Sequence, residues 1–277
     1  MNELTKTFRR EGFCVARNVL PSSLPLQVLK DVDELYRLQL VRLKLPHVPF
    51  TDESTVLANM ARLLEADVNV YLSAARHIAK LLSVQDLMCH ENIRKVVRDL
   101  GIAFPSIPTS PVVNINSEQL RIPGGYYGVN PHQDWPSIQG SLDAVVVWTP
   151  LMDVPADRFP VQVIPRSHMQ GLWEGVDSPS AREIPPGSWK QEDFVSIAVN
   201  RGDVIFFTVF TVHRTGLEHQ GKSCTGIRIG CNFRYENTAD PTFVERGFYC
   251  AYKRTVAREL VTPDFPRVEQ VAALFRG

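Results

Sequence analysis

Cysteine is sparse in this chain, and its spacing offers no pairs. The five cysteines stand at positions 14, 89, 224, 231 and 250, with no Cys-x-x-Cys among them. An odd count without paired spacing argues against a disulfide framework or a cysteine-built zinc site, and for reduced thiols in a cytosol. An excess of charge of either sign is also missing. Thirty Lys plus Arg balance thirty Asp plus Glu, and formal net charge is zero. Such a balance leaves no electrostatic footprint for nucleic acid or an acidic membrane surface. No stretch approaches the ~20 apolar residues needed to cross a bilayer, and the opening "MNELTKTFRREGF" has no apolar signal core. Internal repeats and low-complexity segments are absent. The expectation is a soluble, cytoplasmic protein without a nucleic-acid or membrane partner.

What remains is ordinary globular material. Of 277 residues, 44% are hydrophobic and 22% charged, enough for one large core or two small ones. The first hundred residues read mostly as helices. "TKTFRREGFCVARNVLP" reads as a short helix stopped at Gly12, a short strand and a turn at Pro21. "SSLPLQVLKDVDELYRLQLVRL" places Leu29, Val32, Leu35 and Tyr36 near helical spacing. "STVLANMARLLEAD" suggests a helix capped by Ser54, "VNVYLSAARHIAKLL" continues the pattern, and "HENIRKVVRDLG" ends at Gly101.

After "AFPSIPTSPVVNI" the pattern changes to strands, expected at 112–122, 142–151, 159–165, 194–199, 203–212 and 226–236. Several, such as "VIFFTVFTV", are apolar on both faces, which fits a closed or double-layered β structure. Helical patterns return after Asn237 in "YKRTVAREL" and "RVEQVAALF". The division is a mostly helical part over 1–105, a β core over 106–236 and a helical segment over 237–277, together a single domain: a β-sandwich wrapped by helices.

"GVNPHQDWPS" carries the chemistry. On a strand, residues i and i+2 share a face, so His132 and Asp134 can grip one ion with Gln133 turned away. A third ligand is available at His213, where the buried strand of "RGDVIFFTVFTVHRTG" is expected to end. Two histidines and one carboxylate on one side of an ion leave its other positions open, the facial arrangement of non-haem Fe(II) oxygenases. Alone, His-x-Asp is a weak signal; His213 beyond a buried strand strengthens it. His77 and His90 lie in helical patterns and His47 and His219 in loops, so these read as ordinary histidines.

The order "GFCVARNVLP", "NPHQDW", "VVVWTPLMDV", "FPVQVIPRSH", "RGDVIFFTVFTVHRTG", "GIRIGCNFRYE" resembles the phytanoyl-CoA dioxygenase family of Fe(II)- and 2-oxoglutarate-dependent oxygenases, over roughly residues 7–236. The resemblance implies a double-stranded β-helix (a cupin-like jelly roll). It implies His132, Asp134 and His213 as iron ligands, with 2-oxoglutarate and O₂ as cosubstrates. It also implies an arginine on the distal carboxylate of 2-oxoglutarate. Arg228 is the candidate, sharing a strand face with Gly230, Asn232 and the rival Arg234. The interval from His213 to Arg228 is longer than the family's, so "EHQGKSC" reads as an insertion. The usual glycine of the "IPRSH" turn is replaced by Arg166, and the Asn-Gly that normally precedes it is missing. His168 in that turn reads as structural.

Thr149, Arg121 and Asn130 are further candidates for holding 2-oxoglutarate. Trp135, Tyr127 and Trp148 are candidates for the substrate pocket, with Tyr126 and Trp173 behind them, although aromatics taken singly are more often core. The implied reaction is oxidation of an unactivated C–H bond of a small molecule. Related halogenases replace the carboxylate with a small residue, so the presence of Asp134 points to hydroxylation, while desaturation, epoxidation or ring formation use the same oxidant. A non-redox metal-binding jelly roll (isomerase or sensor) is the alternative, and a purely structural interaction domain a third. Substrate and oligomeric state are left open.

Overall fold

The computed structural model describes residues 2–125, 127–178, 181–249 and 251. Tyr126, Cys250 and the two C-terminal helical patterns lie outside the described residues. The N-terminal part contains α1 (Glu3–Glu11), β1 (Phe13–Ala16), α2 (Ser23–Arg42), α3 (Glu53–Ala66), α4 (Val68–Ile78), α5 (Leu82–Met88) and α6 (Glu91–Asp99). Next come β2 (Pro105–Ser106), β3 (Val112–Asn116), α7 (Trp135–Ile138), β4 (Val145–Pro150), β5 (Val161–Val163), β6 (Val176–Asp177) and β7 (Arg182–Glu183). The chain continues through β8 (Val195–Ile197), β9 (Val204–Thr208), β10 (His213–Thr215), β11 (Glu218–His219), β12 (Lys222–Ser223), β13 (Arg228–Asn237) and α8 (Pro241–Glu245).

Two antiparallel sheets form the centre. The larger runs β1-β9-β4-β13-β2, with β3 also paired to β13; the smaller runs β10-β5-β8. Alternation along the strands explains why the sequence looks apolar on both faces. Val145, Val147, Val204, Phe206, Ile229 and Phe233 join the core shared with the helices. Val146, Trp148, Ile205 and Phe207 point the other way, against Val161, Val163 and Ile197 of the smaller sheet. Each fully buried Val or Phe here stabilises the fold by about 1.5–3 kcal/mol. This is the double-layered jelly roll with flanking helices that the resemblance implies.

The helices follow from their caps and stripes. Asn2 Oδ1 accepts from Thr5 N at 2.9 Å at the start of α1. Gly12 ends that helix at φ 84°. A Cβ there would also lie 2.4 Å from His168 Nδ1, so glycine serves both the left-handed turn and the close approach. His168 is thereby placed against α1, its Nε2 3.0 Å from the Arg9 carbonyl oxygen, in the structural role expected of it. In α2, Val28, Leu29, Val32, Tyr36 and Leu40 form the buried stripe.

Several boundaries differ from the sequence reading. The cap of α3 is Asp52, whose carboxylate accepts from Ser54 N at 2.8 Å; an acceptor standing two residues earlier displaces Ser54. The stretch 112–122 is a strand only to Asn116, then a helical turn at Glu118–Leu120. The stretch 203–212 is not one strand. β9 stops at Thr208, a turn closed by Thr211 N to Thr208 O follows, and β10 starts in the other sheet at His213. The interval "EHQGKSC" folds as the β11–β12 hairpin, with Gln220 and Gly221 at φ 51° and 73°, the backbone of a two-residue hairpin turn.

Candidate active site

His132 and His213 are opposed across an isolated antiparallel bridge. Each N–H donates to the other's carbonyl at 3.0 Å, which fixes the two Cα positions and brings the ring centroids to 4.1 Å. Asp134 does not share a strand with His132, as the i, i+2 argument supposed. It adopts φ −77°, ψ −26° at the head of α7, where Trp135 N donates to Val209 O at 3.0 Å. A helical turn after one bridge residue brings the carboxylate in by a different route. Asp134 Oδ1 lies 3.4 Å from His132 Nε2 and 3.8 Å from His213 Nε2. The three side chains offer ligand atoms all within 4.8 Å of one another, and all three residues are buried.

The surroundings prepare the atoms for a cation. His132 Nδ1 is 2.8 Å from Asn130 O and His213 Nδ1 is 3.0 Å from Thr211 O. Each Nδ1 must carry the proton to meet a carbonyl, so each Nε2 presents its lone pair to the cluster. Burial, reinforced by His132, pushes the His213 pKa down to about 3 against the opposing pull of Asp134, so this imidazole is neutral. Burial opposes ionisation of Asp134, but the Arg234 charge beside it outweighs this and holds the carboxyl well below the usual range. Arg234 Nε donates to Asp134 Oδ2 at 2.9 Å, leaving Oδ1 for the histidines. Gln133, turned away as expected, pins the segment: its amide donates to Gly171 O and Phe210 O at 2.8 and 2.6 Å and accepts from Trp173 N at 2.8 Å.

The three residues open into a cavity of about 250 Å³ whose wall includes Trp148, Thr215, Arg228, Asn232 and Arg234. Arg228 begins β13, is 1% exposed, and donates from Nη2 to Asn116 Oδ1 and, at 3.4 Å, to Thr215 Oγ1. Its guanidinium lies 5.4 Å from the Trp148 ring centroid. Gly230 does not leave its face open: the Trp148 indole covers it, and a Cβ there would lie 2.3 Å from the ring. Asn232 Oδ1 and Trp148 Nε1 are buried without hydrogen-bond partners among the described residues. The donor set fits a divalent cation of borderline softness, and a buried arginine with orphaned polar atoms in the same cavity fits a polar, anionic companion.

Not every candidate reaches this cavity. Thr149 faces away from it, on the opposite side of β4 from Trp148, and its hydroxyl donates to Asp203 O at 3.4 Å. Strand alternation decides that. Arg121 is exposed, paired with Glu118 at 3.3 Å and lying over Tyr127. Asn130 is exposed and donates to Glu183 at 2.9 Å; its backbone carbonyl, rather than its amide, serves the site. Trp135 stacks on Phe210 with centroids 5.8 Å apart, and Tyr127 packs edge-on against Phe159 with its hydroxyl on Glu118. Neither lines the cavity; Trp148 does. Sequence reasoning missed Asn116 and Thr215, whose types carry no motif, and the role of Arg234. It also missed Arg214, which lies in the wall of this cavity and of a neighbouring one of about 560 Å³.

The buried two-histidine, one-carboxylate cluster in this jelly roll is a set of side chains that could hold one metal ion. The chain belongs to the phytanoyl-CoA dioxygenase family, whose model matches residues 8–222. No curated protein matches the sequence closely enough to count as a relative. Among solved structures, the non-heme monooxygenase ThoJ (apo form) is 17% identical, with 85% of this chain and 77% of its own covered and a TM-score of 0.58. The epimerase SnoN, solved with Fe3+, alpha ketoglutarate and nogalamycin RO, is 18% identical, covering 84% and 82%, with a TM-score of 0.54. The carbocyclase SnoK from nogalamycin biosynthesis is 13% identical, covering 93% and 94%, with a TM-score of 0.51. At such identities the likeness is one of fold. Family and buried triad together make this an iron- and 2-oxoglutarate-dependent enzyme of the oxygenase type. Among the described residues, no helix is long and apolar enough to cross a membrane.

Proposed function

We propose that the protein hydroxylates an unactivated C–H bond of a small organic molecule, with His132, Asp134 and His213 holding Fe(II) and Arg228 holding 2-oxoglutarate. The observation that carries this reading is a buried arginine in the wall of the cavity that the triad opens into. A non-redox metal protein needs no 2-oxoglutarate anchor. Bound iron, with 2-oxoglutarate and O₂, supplies the oxidising power for a C–H bond, releasing succinate and CO₂.

The chain's own residues do the rest. His132 and His213 offer Nε2, and Asp134 offers Oδ1 while Arg234 neutralises Oδ2. Arg228 meets a carboxylate with a rigid fork, helped by the Thr215 hydroxyl. The Trp148 indole, Val161 and Phe207 give the cavity a buried apolar wall. Cys14, Cys89, Cys224 and Cys231 are free thiols, which supports a reducing, cytoplasmic setting. The balanced charge supports a small-molecule substrate over nucleic acid or membrane. The test is anaerobic reconstitution with Fe(II) and 2-oxoglutarate, then O₂ with a panel of small metabolites. Substrate-dependent succinate release with one oxygen atom gained by the product supports hydroxylation. Succinate release with an isomerised or cyclised product removes hydroxylation, and no 2-oxoglutarate consumption with any compound removes the whole reading.

A further inference from the structure

The neighbouring cavity, about 560 Å³, shares Val129, Arg214 and Thr215 with the wall of the triad cavity. Its remaining wall mixes polar side chains with an apolar group that includes Ile184, Pro185, Trp189 and Leu217. Arg214 is held in an unusual way for a partly buried cation. Nε donates to Gln162 Oε1 and Nη2 to Gln191 Oε1, both at 2.7 Å. The guanidinium lies 3.8 Å from the Phe194 ring centroid and 5.1 Å from that of Trp189. Both hydrogen-bond partners are neutral amides. Among the described residues no carboxylate comes within ion-pair distance of it, and Nη1 makes no hydrogen bond. A partly buried cation held in place by two neutral amides has its charge left for something else.

The rest of the wall limits what that can be. Asp177 and Glu183 also line the cavity; Asp177 pairs with Arg182 at 3.4 Å and Glu183 accepts from Asn130. Together with Glu218 they put three carboxylates in the cavity wall that also holds Arg214, one of them paired with Arg182. One anionic group at Arg214 is attracted, whereas several phosphates are repelled.

We propose that this cavity binds the substrate, and that the substrate is a free monocarboxylate with an apolar body: its carboxylate docks on Arg214 at the wall shared with the triad cavity, its body lies against Trp189, Ile184 and Leu217, and a coenzyme A thioester is excluded. The inference rests on reading the triad cavity as the reaction site. Its test needs neither metal nor turnover, so the two can fail separately.

Calorimetry on the full-length, iron-free chain compares 3-phenylpropanoate, 3-phenylpropan-1-ol, 3-phenylpropylamine and 3-phenylpropanoyl-CoA. The carboxylate is expected to bind about 10- to 100-fold tighter than the alcohol, the span of a charge-assisted hydrogen bond, with the amine and the thioester weaker still. Arg214→Gln should bring the carboxylate down to the alcohol, while Arg228→Gln should leave the preference intact. The tightest binding by amine or thioester, or no binding by any of the four, overturns the proposal. So does a preference that survives Arg214→Gln, or one lost only in Arg228→Gln, which would place the carboxylate in the cosubstrate's position. If Arg214→Gln does not fold, the ranking of the four probes on the unaltered chain decides alone.

Discussion

Arg234 Nε lies 2.9 Å from Asp134 Oδ2, a charge-assisted contact between residues 100 apart in sequence and both buried. It gives Arg234 a partner inside the triad. Spacing makes Arg234 a rival to Arg228 for 2-oxoglutarate, because both stand on one face of β13. The structure instead seats it behind the carboxylate of the triad, where it keeps Asp134 ionised and aimed. Groups that orient a metal's ligands commonly contribute about 10–100-fold in affinity. Arg234→Ala is therefore expected to weaken Fe(II) binding by that factor. Affinity should also become more sensitive to acid, since losing the cation lets the Asp134 pKa rise. Anaerobic Fe(II) titration between pH 6 and 8 measures both, and unchanged affinity would show that the contact is incidental.

The triad itself makes a sharper demand. A three-ligand site has no spare donor, so His132→Ala and His213→Ala should each lose bound metal and turnover together. Asp134→Gly should lose hydroxylation while the two imidazoles retain metal weakly. These variants remove side chains only, and the backbone bridge between residues 132 and 213 should keep thermal unfolding near that of the unaltered chain. Metal content measured on the purified variants is the readout; full occupancy in both histidine variants would sink the assignment.

Much of this was legible from local pattern. Strands buried on both faces announced two β layers, because Val204 and Phe206 serve one core and Ile205 and Phe207 the other. His132, Asp134 and His213 could be picked out by type and spacing. The reason given for their convergence was wrong, since it assumed a strand where the chain makes one bridge and then turns into α7. Periodicity cannot see the turn that moves His213 from one sheet to the other, because Val209 and Val212 keep the apolar pattern running through it. Of the further candidates, Thr149, Arg121 and Trp135 stand outside the cavity because of the alternation of β4, exposure and the start of α7. Arg214 and Thr215 depend on which strands neighbour β10, information that no single stretch of sequence holds.

Arg228 and Trp148 yield the third prediction. Truncating one partner of a buried charge pair costs roughly 2–5 kcal/mol, about 30- to several-thousand-fold in affinity. Arg228→Ala should raise the 2-oxoglutarate KM by that order with iron content normal, the reverse of the Arg234→Ala pattern. Gly230→Ala should move KM in the same direction. Its Cβ would lie 2.3 Å from the Trp148 ring, and the indole must shift to accommodate it. Steady-state 2-oxoglutarate dependence with parallel iron analysis separates the cases. A KM unaffected by Arg228→Ala would remove the anchor.

Glu236 supplies a pH dependence independent of the metal ligands. It lies on the Arg234 face of β13, is 3% exposed, and its Oε1 has no hydrogen-bond partner among the described residues. Its carboxylate is seated so tightly against Gly140 that a Cβ there would overlap Oε1. Burial raises its pKa to about 7 from 4.5, although the nearby Arg246 charge pulls the other way. The folded state therefore holds a proton on Glu236 that the unfolded chain releases from about pH 4.5 upward. The stabilisation linked to that proton is fully present below pH 4.5 and is lost as pH rises through 7. Over the 2.5-unit difference (7 − 4.5) the effect is on the order of 3 kcal/mol. Glu236→Gln keeps the shape and removes the titration. Near pH 4.5 the variant should match the unaltered metal-free protein, and by pH 8 it should be the more stable by on the order of 2–3 kcal/mol. Denaturant unfolding of both proteins at several pH values tests this through their difference, in which contributions from other groups, including His213, cancel. Parallel stability curves from pH 4.5 to 8 would mean that Glu236 is ionised in the folded protein throughout.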